Sequence, residues 1–141
     1  MNDLRVEEIP PLLLHTVPES AESISERYQI SAEAAVLTEN AVLDLYGMLA
    51  ECFTASVLIP QLESPNPDVE LLKRCWGFVE RIMDHSSQYV SGAVYFEVLE
   101  QLLNEGELLE AAWPYMKDRT RARTVQMLNS YGVFVPGINR R

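Results

Sequence analysis

The sequence has few of the residues from which catalytic and metal sites are built. Its 141 residues include two histidines, two cysteines and six scattered glycines. It contains no Gly-rich phosphate loop, no Gly-x-Ser-x-Gly and no Cys-x-x-Cys, and it lacks the Glu-x-x-His pair of di-iron helical bundles. His15 and His85 have no acidic or cysteine partner at metal-ligand spacing, so we expect packed or helix-end histidines. We therefore predict no catalytic residues, no bound metal and no cofactor.

Long hydrophobic segments are also scarce. No hydrophobic run of 18 residues is free of charge, so we expect no transmembrane helix. The N-terminal residues MNDLRVEEIPP lack the basic start and the apolar stretch of a secretory signal. Cys52 and Cys75 lie in apolar helical patterns, which favours two reduced core thiols over a disulfide or a reactive pair. These features together predict a cytoplasmic protein.

Basic residues are outnumbered by acidic ones, 11 against 21, which gives a net charge of −10. Residues 117–141 hold six basic residues and one acidic residue, a net charge of +5. Residues 1–116 hold five basic and twenty acidic residues, a net charge of −15. So acidic a body repels nucleic-acid phosphates and anionic lipid head groups and attracts a basic protein. We predict a protein partner rather than nucleic acid or a membrane; the alternative is that the charge serves solubility.

Apolar residues at helical spacing are abundant, since 48% of the chain is hydrophobic and no segment shows a sustained alternation of period two. The pattern predicts one all-α domain of six or seven helices over residues 1–134, arranged as a bundle or a stack of helical hairpins. A basic tail is predicted at residues 135–141. The predicted helices cover residues 6–15, 21–28, 40–59, 67–84, 88–103, 107–113 and 119–131.

Capping residues and prolines set the predicted ends of these helices. Ser31 is the expected N-cap of a helix that begins at residue 32, and Asn66 is the expected N-cap of the helix after the Pro-rich break. Pro60 is predicted to end the long helix of residues 40–59. Asp118 is predicted to cap the last helix, which Gly132 ends.

Two of the predicted helices supply most of the core. The helix of residues 88–103 is apolar around most of its circumference and is therefore expected to be the most central. The helix of residues 40–59 is predicted to bury one face, made of Leu45, Met48, Leu49, Cys52, Ser56 and Ile59.

Asp44, Gly47 and Glu51 form a stripe on the opposite face of that same helix, at positions i, i+3 and i+7. The glycine lowers helix propensity by roughly 1 kcal/mol relative to alanine. It also permits a close approach to the backbone by another helix or by a partner. One interpretation is an acidic docking stripe that receives Lys or Arg from a partner. The alternative is tight packing inside the bundle.

Glu97 and Glu100 lie one helical turn apart on an otherwise apolar helix, and the pairs Glu19/Glu22 and Glu107/Glu110 have the same spacing. All-α nucleotide pyrophosphatases hold Mg²⁺ through such pairs on facing helices. A metal-dependent hydrolase is therefore the enzyme alternative, set against a solvated acidic face. The basic segment of residues 117–123 suggests a phosphate site or, beside an acidic body, internal salt bridges.

Four stretches carry a family resemblance. They are EIPPLLL at residues 8–14, the helical hairpin of residues 71–87, VYFEVLEQL at residues 94–102 and AWPYMKDRTR at residues 112–121. In this order they resemble a family of uncharacterised small all-helical bacterial proteins, some of which lie in polymorphic toxin–immunity loci. Phe-Glu-x-Leu and Pro-Tyr-Met-x-x-x-Thr-Arg are the most specific patterns. Residues 35–59 match only in helical character, and the basic tail lies outside the resemblance.

The resemblance implies an immunity protein, an inhibitor that neutralises a cognate toxin by direct binding. Charge complementarity fits this role, because toxins that act on nucleic acids are basic at their working surface. The alternatives are a regulatory adaptor for another protein and the metal-dependent hydrolase. The predicted partner-binding residues are Asp44, Gly47, Glu51, Glu97 and Glu100.

Overall fold

A computed structural model describes residues 4–103 and 106–139 of the chain. It confirms the all-α single domain, with nine helices in the described residues. They are α1 (Ile9–Thr16, after a 3₁₀ turn at Val6–Glu8), α2 (Ala21–Tyr28), α3 (Ala32–Ala35), α4 (Glu39–Leu43), α5 (Leu45–Glu63), α6 (Val69–Met83), α7 (residues 88–102), α8 (Gly106–Ala112) and α9 (Asp118–Tyr131).

The first three helices follow their local sequence signals. Pro10 and Pro11 lie in the first turn of α1, where a missing N–H costs nothing. Helix α2 has the predicted bounds and ends at Gln29, which adopts a left-handed conformation with φ of 60°. The hydroxyl of Ser31 accepts a hydrogen bond from the Ala34 N–H at 3.3 Å, which confirms this residue as the N-cap of α3.

The predicted helix of residues 40–59 is interrupted at Asp44 and extends beyond its predicted end. Asp44 separates α4 from α5, because its backbone leaves the helical region with φ of −105° and ψ of 24°. Pro60 does not end α5, which continues to Glu63. A proline clashes with the carbonyl four residues earlier in an α-helix. Here the turn before Pro60 is wider, since the Ile59 N–H bonds the Thr54 carbonyl five residues back.

Leu49–Leu58 is wound as a π-helix, with hydrogen bonds between residues five apart. In this register Thr54 joins the buried face, together with Cys52 and Val57, which were expected on the inward side. Ser56, predicted to face the core, is exposed. The prediction assumed that apolar residues recur every three or four positions, as in an α-helix. This spacing does not hold in a π-helix, which has more residues per turn.

Helix α6 carries the most strongly amphipathic pattern. Its apolar residues recur at helical spacing and all of the following are buried: Leu72, Cys75, Trp76, Val79, Ile82 and Met83. Its N-cap is Asp68 rather than the predicted Asn66, because the Asp68 carboxylate accepts the Leu71 N–H at 3.1 Å. The Asp68 N–H is itself held by the side-chain oxygen of Gln61 at 2.7 Å.

Helix α7 begins as an α-helix, widens to a π-helix at Tyr95–Leu99 and tightens to a 3₁₀ turn at Glu100–Leu102. It packs against α5 where both helices are π-helical. The buried hydroxyl of Thr54 donates to the Glu97 carbonyl at 2.7 Å across this contact. Gly92 gives room to the Tyr46 ring, whose hydroxyl lies 2.5 Å from where a Cβ would be.

Helix α9 begins at Asp118, so the residue at the N-cap position is Lys117 and the prediction of Asp118 as the cap is wrong. The orphan N–H groups of Arg119 and Thr120 are bonded instead by the Glu80 carboxylate of α6, at 3.1 and 2.9 Å. Gly132 ends the helix in a left-handed conformation with φ of 68°, as predicted.

The chain after α9 folds back onto it. Val135, which the sequence placed at the start of a tail, is buried in the core. The side chain of Asn139 accepts the Val135 N–H at 2.8 Å and donates to Asn129 at 3.0 Å and to the Val133 carbonyl at 2.8 Å. The packed part of the chain therefore extends at least to Asn139.

Helix α5 is the one helix of the described ranges that is long and apolar enough to cross a bilayer, with a mean hydropathy of 1.3 over its most apolar window. Half of that window is buried inside the protein. The helix contributes Phe53, which packs edge to face with Phe78 of α6 at 5.4 Å between ring centroids. It has the contacts expected of a core helix.

Candidate functional site

Asp44 is bound inside the protein. The Arg27 guanidinium of α2 holds its carboxylate through two hydrogen bonds, at 2.8 and 3.2 Å, and the Tyr28 hydroxyl donates a third at 2.7 Å. The bond from Arg27 is the main reason why the pKa of the Asp44 carboxyl lies below its usual range, and Tyr28 lowers it further. The arrangement joins α2 to the break between α4 and α5.

Gly47 lies directly beneath this ion pair. A Cβ at Gly47 would meet the terminal nitrogen of Arg27, so the guanidinium occupies the space that a larger residue would fill. The close approach expected at this glycine is therefore made by Arg27 of the same chain. For Asp44 and Gly47 the structure supports the interpretation of packing within the bundle.

Glu51 differs from the other two members of the stripe because its side chain is exposed. Its backbone carbonyl accepts the Ser23 hydroxyl of α2 at 3.4 Å, which places this turn of α5 beside the middle of α2. Glu22 and Glu26 flank Ser23 and are exposed too. We call Glu22, Glu26 and Glu51 the acidic face.

The acidic face lies in a region with almost no positive charge. Residues 17–63 contain eight acidic residues and a single basic one, Arg27. Arg27 forms an ion pair with Asp44. Among the described residues, Glu22, Glu26 and Glu51 form no ion pair. Glu22 and Glu26 are also one turn apart on α2, a like-charge spacing that destabilises a helix slightly.

Glu97 and Glu100 have different environments. The Glu100 carboxylate accepts the Tyr131 hydroxyl of α9 at 2.6 Å, and this bond raises the pKa of the tyrosine. The Glu97 side chain is half-buried, and the contact of this residue with α5 is made by its backbone carbonyl. Glu107 and Glu110 are exposed on α8. No group of three metal-ligating side chains occurs in the part of the chain that the structure describes.

The two histidines lie at or just after helix ends, one exposed and one buried. His15 is exposed in the last turn of α1. His85 is buried just after α6, where its Nδ1 accepts the Ser87 N–H at 2.9 Å. The remaining ring nitrogen, Nε2, then carries the proton and donates to the Leu4 carbonyl at 2.7 Å. His85 thus fastens the N-terminal segment to the end of α6.

The basic segment of residues 117–123 is divided between different partners. Arg119 lies 3.6 Å from the Asp84 carboxylate and 4.0 Å from that of Glu80, as the salt-bridge interpretation predicted. Arg121 lies over the Trp113 ring, 4.7 Å from its centroid, and donates to the Trp113 carbonyl at 2.9 Å.

Arg123 belongs to a surface that the sequence did not predict, a groove between α7 and α9. The groove has a volume of about 680 Å³. Arg123 lies over the Tyr95 ring at 4.5 Å and donates to the Gln126 side chain at 2.6 Å. Phe96 and Tyr131 line the same groove. The sequence shows polar residues along one side of α9, which could have indicated an exposed binding surface. Only the fold shows that Tyr95 and Phe96 of α7 face these residues.

Comparisons with known proteins identify a family. The model of a protein family described as a domain of unknown function (DUF7674) matches residues 10–131. The curated proteins give no match, and neither do the solved structures. The match says nothing about toxins, so the association with immunity stays a prediction. Its span covers α1 to α9 and includes the acidic face and the groove. The chain therefore belongs to the DUF7674 family.

Proposed function

We propose that this protein is a cytoplasmic protein-binding module, and specifically an immunity protein that neutralises a basic toxin domain through its acidic face. The observation that carries the proposal is the exposed negative charge of Glu22, Glu26 and Glu51, which form no ion pair with any residue that the structure describes. Negative charge on one surface raises the rate at which a basic partner is captured and favours its correct orientation.

The arrangement of the ion pairs supports this choice of surface. Arg74 bonds Glu19 at 2.8 Å and Glu70 at 2.7 Å, and Arg27 bonds Asp44, so these three acids are neutralised within the bundle. The acidic face is left without a described cation although Glu22 and Glu26 repel each other. A cation from a partner would remove this repulsion, because opposite charges within a few ångströms favour their charged forms.

The main experiment captures the partner from the native host with the wild-type protein as bait. The captured protein is then expressed alone and together with the wild-type chain. The proposal expects that it arrests growth when expressed alone and that co-expression restores growth. It also expects the affinity to fall steeply with salt, because exposed charges are screened beyond about 10 Å at 0.1 M ionic strength.

A matched pair of triple variants tests the surface. The variant E22K/E26K/E51K should lose rescue and weaken binding by more than tenfold, since each like-charge contact opposes association. The control E63K/E107K/E110K changes the net charge equally at exposed positions on α5 and α8, and it should rescue growth. Equal rescue by both variants would refute the role of the acidic face.

The alternatives give different results in these assays. A regulatory adaptor would capture a partner that is harmless when expressed alone, and this outcome would exclude the immunity function while leaving a binding module. A metal-dependent hydrolase would turn over nucleotides with Mg²⁺. Glu100 is bonded to Tyr131, and the described residues provide no third ligand beside Glu97 and Glu100, so no observation favours the hydrolase.

A further inference from the structure

The groove between α7 and α9 is built around a positive charge. The guanidinium of Arg123 is stacked on Tyr95 and tied to Gln126, so its position is fixed without a salt bridge. Two further depressions along α9 also include Arg123 and Gln126 in their walls, which makes this guanidinium the point where all three meet.

Arg123 is exposed, and no carboxylate of the described residues neutralises it; Arg121 also lacks a carboxylate partner there, but it is half-buried against Trp113. Arg27, Arg74 and Arg119 are each paired with a carboxylate that is distant in the sequence, Asp44, Glu19 and Asp84 respectively. Two acids close to the groove are engaged elsewhere, since Asp84 pairs with Arg119 and Glu100 accepts the Tyr131 hydroxyl. An arginine fork fixed by stacking retains N–H groups suited to a carboxylate.

The wall of the groove next to Arg123 is apolar and open to solvent. The Phe96 side chain is 44% exposed and Tyr131 is 46% exposed, while Met127 is buried between them in the lining. The Phe96 ring stands edge to face on the Tyr95 ring at 5.1 Å, so the apolar surface continues directly from the ring under Arg123. Exposed aromatic side chains of this kind are common in interaction sites.

We propose that this groove binds a short segment of a protein partner that carries an acidic residue next to a large apolar one. The carboxylate pairs with Arg123, and the apolar side chain packs on Phe96 and Tyr131. A polyanion such as nucleic acid does not suit the site, because Asp84 and Asp118 lie with Arg123 in the lining of the adjoining depression and the chain has a net charge of −10. The site is distinct from the acidic face and has the opposite charge preference.

Two synthetic peptides test the proposal by NMR titration of the ¹⁵N-labelled full chain. They differ only in a side-chain carboxylate, which is replaced by a carboxamide in the second peptide. They are acetyl-Ala-Glu-Phe-Leu-Ala-amide and the same peptide with Gln in place of Glu. The expected result is saturable shifts of groove amides on α7 and α9 with the Glu peptide. The Gln peptide should bind about fivefold more weakly, because an exposed ion pair contributes up to about 1 kcal/mol to the binding free energy.

Variants identify the side chains responsible. R123Q should bring the affinity for the Glu peptide down to that for the Gln peptide, and F96A should weaken both peptides. K73Q removes one exposed positive charge from α6 and should change neither affinity. The proposal is overturned by an absence of saturable shifts in the groove, by equal affinity of the two peptides, or by R123Q binding like the wild type. Binding of a DNA pentanucleotide to the same amides without peptide binding overturns it as well.

Discussion

At the scale of single residues, Glu80 holds the start of α9 from another helix. Its carboxylate accepts bonds from two backbone N–H groups of α9 and from the Thr120 hydroxyl at 2.8 Å. Burial raises the pKa of Glu80, but the bonds from Thr120 and Arg119 outweigh burial and leave this pKa below its usual value. The side chain therefore serves as a helix cap and as the link between α6 and α9.

The substitution E80A is expected to lower the free energy of unfolding by about 1–2 kcal/mol, as removal of a helix cap does. Because the pKa of Glu80 is lower in the folded state, its contribution is complete above the unfolded pKa, about 4.3, and is lost as the pH falls through the folded pKa. Urea titrations of wild type and E80Q should thus differ most at neutral pH and converge as the pH falls through the lowered pKa of Glu80 in the folded state. D84N, which removes only an exposed pair, should change stability by under about 1 kcal/mol.

Gly47 and Arg27 provide a second test, based on coupling. Alanine at position 47 gains up to about 1 kcal/mol of helix propensity but displaces the guanidinium from Asp44. We expect G47A to give no stabilisation in the wild type and to stabilise R27A by about 0.5–1 kcal/mol. Equilibrium unfolding of the four proteins in this double-mutant cycle measures the coupling. Additive effects would mean that Arg27 does not occupy the space over Gly47.

At the scale of elements, the π-helical segments of α5 and α7 depend on each other. A π-helix is rare beyond one turn, and here ten residues of α5 pack against five residues of α7. The link between them is polar, the bond from Thr54 to the carbonyl of Glu97. Because Thr54 is buried, water cannot replace this bond without opening the interface.

Thr54→Val keeps the shape of the side chain and removes its donor, which leaves the Glu97 carbonyl without its partner on α5. The expected loss of unfolding free energy is about 1–3 kcal/mol, with faster hydrogen exchange in residues 95–100. Thr124→Val is the matched control, because this buried hydroxyl bonds the Thr120 carbonyl of its own helix at 2.8 Å and otherwise contacts only the weak acceptor Met116 Sδ at 3.5 Å. Its loss should cost less than about 1 kcal/mol. Equal costs would show that the interhelical bond contributes nothing specific.

The sequence predicted those helix ends that neighbouring residues determine, such as the cap at Ser31 and the left-handed stop at Gly132. It could not predict the start of α9, because the cap at Glu80 comes from about forty residues earlier in the chain. The π register of α5 was missed because the apolar residues fit a period of 3.6 as well as a longer one. Likewise the stripe of Asp44 and Gly47 was visible, but its partner Arg27 depends on tertiary packing.

At the scale of the whole molecule, one core connects all the long helices. Cys52 of α5 and Cys75 of α6 are both buried in it as free thiols, which confirms their predicted role. Burial raises the pKa of both thiols, that of Cys75 to about 12. Since the thiolate is the reactive form, both cysteines are protected by inaccessibility and by protonation.

A chromogenic disulfide reagent should therefore release no product from the native protein at pH 8 and two equivalents after unfolding in denaturant. At high reagent concentration the rate of labelling should equal the rate of global unfolding measured by fluorescence. One equivalent released rapidly from the native protein would mean that α5 or α6 opens separately from the rest. No release in denaturant would reveal a disulfide.

The contact between His85 and Leu4 has a consequence for the order of folding. The two residues are 81 positions apart, so the hydrogen bond between them closes a loop of more than half the chain. Closing so long a loop is entropically unfavourable until the intervening helices are in place. This bond should consequently form after the folding transition state, and its removal by His85→Ala should accelerate unfolding while the refolding rate hardly changes. Leu4 should in this sense be fixed late in folding, although it is among the first residues in the sequence.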